Sequence, residues 1–284
     1  MRFFLIVLSL FFWGFAKPII SVSIPPQAYF LTQIAGESVS VNTLIPQGSD
    51  PHTFEFKPST LSKLQKSDLY LTIGLEFEEI WLPKLKDNLS KTQILSITNG
   101  VAYLEGVEHH HHDHHDHHDA HEEERDPHIW LSPKNAKILA SNIASILITH
   151  YPQNKALYEK NLKIFLEKIT ALDSQITQIL SPLKSREFIV YHPSWAYFAK
   201  DYNLTQIPIE IEGKEPKARE LKKLITTAKE HHIKVIFAQS GFSKTTANQI
   251  AKACGAQTFL TDPLAYEWGE ELLKIANELG KWQK

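Results

Sequence analysis

One cysteine, Cys254, stands in 284 residues, so no disulfide can form within the chain and a thiolate-rich zinc site is excluded. Taken alone it reads as a small buried residue on a helix around Ala251 to Cys254. An excess of one charge is also missing, with 30 Lys and Arg against 32 Asp and Glu and a net charge of -2. No basic stripe offsets this near-neutrality, which excludes nucleic-acid binding through bulk electrostatics. Long apolar runs are confined to Phe3–Phe15, which falls short of the ~20 residues a spanning helix needs. Met1-Arg2 precedes that run and Gly14-Phe15-Ala16 closes it ahead of Lys17-Pro18. The pattern reads as a cleaved secretory signal over residues 1–16, with a membrane anchor as the competing reading. It points to an exported compartment, the periplasm in a bacterium, and no cysteine lies at the cut to accept a lipid. The 268 residues left would carry a charge of -3 once Arg2 is gone.

What is abundant is histidine. Nine of the thirteen residues from 109 to 121 are His109, His110, His111, His112, His114, His115, His117, His118 and His121, and only six others occur elsewhere. The tract has no apolar residue to anchor a core, so a solvated loop is expected. Neutral imidazole suits zinc, copper and nickel, whereas magnesium and calcium prefer oxygen, so the tract points to capture of a transition metal. An expression tag would sit at a terminus without the interleaved Asp113, Asp116 and Asp119. A chance polar loop would draw on Gly, Ser, Asn and Pro first. A pH-responsive polyelectrolyte is the remaining alternative.

At 43% hydrophobic the chain can bury a substantial core, and its length is where one core tends to split in two. Strands are expected at 19–24, 39–45, 69–73 and 93–97, with helices at 26–34, 59–66 and 78–88 between them. Later strands are expected at 187–191, 205–209, 234–238 and 257–260, with helices at 194–201, 216–231, 244–253 and 267–280. Such alternation predicts an α/β fold of two lobes, each with a mostly parallel four-stranded sheet flanked by helices. Between them Ser132-Pro133 should open a helix, with a hydroxyl cap and proline at the first helical position. Tyr158, Leu162, Phe165, Ile169, Leu172, Ile176 and Ile179 then follow an unbroken 4-3 spacing, one apolar seam on a helix of ~40 Å. A coiled-coil dimer could use that seam, but about three heptads between two α/β patterns favour an intramolecular spine and hence a monomer. The expected division is 17–132 for the first lobe with the His-rich loop at 105–126, 133–183 for the helical link, and 184–284 for the second lobe.

Asp50-Pro51-His52 follows the second strand, and Asp126-Pro127-His128 follows the histidine tract. Proline fixes its own φ and restricts the residue before it, so each triplet is a stiff platform presenting one imidazole. His192 and Asp262 each follow a strand and precede a proline. In doubly wound sheets ligands bind beyond the carboxyl ends of strands, in a cleft here expected between the lobes. Three imidazoles and one carboxylate suit tetrahedral Zn²⁺. Asp50 and Asp126 are candidates to orient the neighbouring rings. His150, His231 and His232 close helices, where positive charge suits the dipole, and read as structural.

The order Asp50-Pro51-His52-Thr53-Phe54-Glu55 with Lys57-Pro58-Ser59, then Asp126 to Pro133, His192 to Phe198 and Asp262-Pro263-Leu264, resembles the metal-binding subunits of bacterial ABC importers. It is most similar to the zinc-specific members called high-affinity zinc uptake proteins, along essentially the whole chain. That resemblance implies two α/β lobes joined by a rigid long helix and one metal held between them at His52, His128 and His192. It also implies delivery to a permease in the inner membrane and a His- and acid-rich loop that marks zinc members. The manganese branch usually carries a glutamate where this chain has His192, so the resemblance favours Zn²⁺ over Mn²⁺. Asp262 matches the fourth-ligand position, which either that carboxylate or a water fills.

Two other classes use similar residues. A zinc hydrolase could use three His ligands and an open position for a metal-bound hydroxide. No His-Glu-x-x-His segment occurs, since after His121-Glu122 the required position holds Arg125. A periplasmic zinc buffer or chaperone without a transporter would use the same ligands. The reading carried forward is a carrier rather than an enzyme.

Overall fold

A computed structural model of the chain describes residues 16–49, 51–106, 125–211, 213–239 and 242–283. The expected signal up to Phe15, Asp50 and the whole histidine tract lie outside the described residues. Strands β1 (Ile19–Val22), β2 (Ser40–Thr43), β3 (Leu69–Thr72) and β4 (Gln93–Ser96) form one sheet in the order β2-β1-β3-β4. Strands β5 (Glu187–Val190), β6 (Thr205–Pro208), β7 (Val235–Gln239) and β8 (Gln257–Thr261) form a second in the order β6-β5-β7-β8. Every pairing in both sheets is parallel, beyond the mostly parallel expectation.

Parallel neighbours need crossovers, and helices supply them. The first lobe uses α1 (Pro25–Ala35), α2 (Pro58–Leu64) and α3 (Glu76–Leu85), and the second uses α6 (Ala196–Asp201), α7 (Ala218–Glu230) and α8 (Lys244–Cys254), while α9 (Trp268–Trp282) follows the last strand. Side chains alternate across a strand, so β5 and β7 each feed two layers. Phe188, Val190, Val235 and Phe237 enter the main core, while Ile189, Ile236 and Ala238 enter a smaller one under α7 and α8. Cys254 ends α8 half-buried and its Sγ approaches the carbonyl of Ala251.

Between the sheets lie α4 (Pro133–His150) and α5 (Lys155–Leu180). Ser132 Oγ accepts the amide of Asn135 at 3.1 Å and Pro133 takes the first helical position, so α4 opens as its sequence dictates. The 26 residues of α5 span ~39 Å, and its seam buries Tyr158, Phe165, Ile169 and Ile176. A 3-10 turn at Pro152–Asn154 precedes it. The seam packs against α1 of the first lobe and α9 of the second. Phe165 lies 5.6 Å from Phe30, and Phe30 lies 5.1 Å from Trp268, so aromatic rings bridge the lobes over the spine. Gly280 permits the close crossing, because a Cβ there would sit 2.6 Å from Ile179 Cγ2. The main core is consequently continuous through both lobes rather than divided at the cleft.

One buried carboxylate belongs to the scaffold. Glu78 accepts the amides of Ile73, Gly74 and Leu75 and the Ser23 hydroxyl, closing the turn between β3 and α3. Burial pushes its carboxyl up to about 7 against the pull of those donors. That turn sets the start of α3, where Glu76 faces the cleft.

Candidate metal centre

Three separate segments bring imidazoles to one point. His52 rides on the connection after β2, His128 caps a 3-10 turn at Ile129–Leu131, and His192 lies two residues past β5. Among the described residues these three form a group in which one ligand atom from each lies within 4.8 Å of the others. Ring centroids are 5.0 Å apart for His52 and His192, 5.2 Å for His128 and His192, and 5.8 Å for His52 and His128. A tetrahedral ion at about 2.0 to 2.1 Å from each nitrogen needs nitrogens ~3.4 Å apart, so small side-chain adjustments suffice.

Each ring has a carboxylate behind it. Asp126 Oδ1 accepts both the amide of His128 at 2.8 Å and its Nδ1 at 2.9 Å. Glu210 Oε1 lies 2.6 Å from Nδ1 of His192, and Glu76 Oε2 lies 3.7 Å from Nδ1 of His52. A carboxylate accepts only, so Nδ1 donates in the two short pairs and Nε2 is the nitrogen left to face the cavity. Two of the three imidazoles thus have a hydrogen-bonded carboxylate behind them and the third has one close by, which suits a divalent cation. Burial drives His128 down to about 4, with Asp126 opposing and the neighbouring His192 and His52 assisting. Its ring is therefore neutral over the whole physiological range.

A cavity of about 30 Å³ lies between the rings, large enough for one ion or water. Trp130, Gln239, Phe242 and Asp262 help to line it. Asp262, directly past β8, is outside the three-imidazole group: Oδ2 accepts from Gln47 Nε2 at 3.0 Å across the cleft, and Oδ1 accepts the amide of Leu264 at 2.9 Å. Both lobes are stitched beside the cavity by indoles. Trp130 Nε1 donates to the carbonyl of Pro263 at 2.8 Å, and Trp268 Nε1 donates to the carbonyl of Trp130 at 2.7 Å. Tyr197 on α6 accepts the amide of Leu104 and donates to the carbonyl of Asp126, fixing the backbone next to His128.

The family profile described as zinc-uptake complex component A, periplasmic (ZnuA) matches residues 20–276. The chain belongs to the ZnuA family. A high-affinity zinc uptake system protein ZnuA of Bacillus subtilis (strain 168) is 36% identical over 243 residues, covering 84% of this chain and 76% of its own. A crystal structure of ZnuA superimposes with a TM-score of 0.86 at 43% identity, over 95% of this chain and 100% of that one. A zinc-bound ZnuA with residues 138–173 of its own numbering deleted gives 0.85 at 43% identity, over 95% of this chain and 99% of that one. The two-lobed parallel architecture is thus that of the ZnuA family.

Glu76, Glu210 and Gln239 escaped the sequence reading. Glu210 lies two residues past β6, the rule that singled out His192 and Asp262, and Glu76 opens α3, but no histidine neighbours either. His150 ends α4, and His231 caps α7 paired with Glu187, remote from the rings.

Proposed function

We propose that this ZnuA-family chain captures Zn²⁺ in the bacterial periplasm and hands it to an ABC-type permease in the inner membrane. Zinc is cargo here, and the chain acts as a carrier rather than a catalyst. The single observation that supports this most is the convergence of His52, His128 and His192 from three segments and both lobes. His52, His128 and His192 bind through Nε2, and Asp262 or a water takes the fourth place. Closure by protein favours capture, since a hydrolase keeps a solvent position and a nearby base. Release of Asp262 from Gln47 would accompany its joining the ion. The tract from His109 to His121 collects zinc loosely and passes it inward, and no helix among the described residues is long and apolar enough to cross a membrane.

Competition titration of H52A, H128A and H192A against a zinc chelator tests the ligand set. Each variant should lose the tight site, and anomalous diffraction at the zinc edge should place one ion among the three rings. Parental affinity in all three would overturn the assignment.

A further inference from the structure

Resting on the zinc reading above, we propose that Glu210 is the positioning residue of the site, holding the His192 ring in the plane and tautomer that ligation needs.

The placement follows from strand register. β5 pairs with β6 as Glu187↔Thr205 through Val190↔Pro208, and with β7 as Ile189↔Ile236 and Val190↔Phe237. Carried two residues past β5, those registers set His192 level with Glu210 on one side and Gln239 on the other. Pairing does persist there, since the amide of Glu210 donates to the carbonyl of Tyr191 at 3.2 Å and the amide of Tyr191 donates to the carbonyl of Phe237 at 3.0 Å. Among the described residues, three contacts hold His192. Its amide donates to Gln239 Oε1 at 2.7 Å, its Nδ1 meets Glu210 Oε1 at 2.6 Å, and its face stacks on Phe242 at 5.4 Å and 7°.

The three contacts do different work. Gln239 fixes the backbone and Phe242 limits tilt, but neither chooses between the ring nitrogens. Only Glu210 does, because an acceptor at Nδ1 commits that nitrogen to its proton and turns Nε2 toward the cavity. Glu210 is 5% exposed, so water does not compete for the bond. Neither Glu76 nor Asp126 can substitute, since each serves a different ring.

The test compares E210Q, E210A and H192A with the parent full chain, by zinc competition titration and by long-range ¹H–¹⁵N spectra of the zinc-loaded proteins. H192A identifies the His192 signals by difference. E210A is expected to weaken the tight site about 10- to 100-fold and to lose the hydrogen-bonded Nδ1–H signal of His192. E210Q retains an oxygen acceptor without charge, so it should keep that signal and weaken zinc by only a fewfold. If E210A misfolds, the E210Q spectrum and affinity decide. The proposal is overturned if E210Q and E210A bind within twofold of the parent, or if affinity falls while the His192 signal is unchanged. H192A binding zinc like the parent would instead remove the ligand assignment beneath it.

Discussion

Replacing His128 by glutamine should flatten the acid sensitivity of the zinc-free protein by a calculable amount. His128 is 7% exposed and its imidazole is driven from 6.5 to about 4, chiefly by burial. In the unfolded chain the same ring takes a proton near 6.5, so between these values the unfolded state holds more protons than the folded one. The stability this group supports is fully present above pH 6.5 and is lost as pH falls towards 4. A difference of about 2.5 in pKa at ~1.4 kcal/mol each corresponds to ~3 kcal/mol over the whole window, most of which is lost by pH 4.5. Glutamine does not titrate and can still donate to Asp126. Urea unfolding of parent and H128Q, both free of metal, at pH 7.5 and pH 4.5 isolates the effect, because every other titrating group is common to both. The gap between the two proteins should shift by about 2 to 3 kcal/mol in favour of H128Q at the lower pH. A gap constant to within ~0.5 kcal/mol would refute the argument that burial governs this ring.

Two further outcomes test site and scaffold separately. H192E puts a second carboxylate against Glu210, so zinc should lose at least about tenfold relative to manganese in competition titration, and an unchanged preference would contradict the role given to the imidazole. F165A removes a ring that is 2% exposed and packed against Phe30, and should cost about 3–5 kcal/mol in urea unfolding while leaving one tight zinc per chain; a cost under 1 kcal/mol would show that the seam is not the shared core.

The eight strands were readable because each is a short β-rich run bounded by turn or helix signals, and observed ends differ from expected ones by no more than two residues. The α5 seam was readable because its period is that of a helix over seven positions. His52, His128 and His192 stood out because proline stiffens the backbone beside each. Glu210 and Gln239 were not readable, since their nearness to His192 depends on parallel registers across 18 and 47 residues that no local pattern encodes. Nor was the continuous core. Period marks which face of a helix is apolar but not which neighbours will cover it, and α1 and α9 meeting across Phe165 is a fact of three-dimensional packing.

The indole stitches from Trp130 to Pro263 and from Trp268 to Trp130 tie the backbone of one half to that of the other at the very rim of the cavity. A clamshell opening would have to break both bonds and prise aromatic rings off the spine together, whereas a swing of the arm bearing His52 disturbs neither. Both bonds therefore favour a frame that keeps its shape whether or not the ion is bound. Scattering profiles recorded with and without metal should accordingly superimpose.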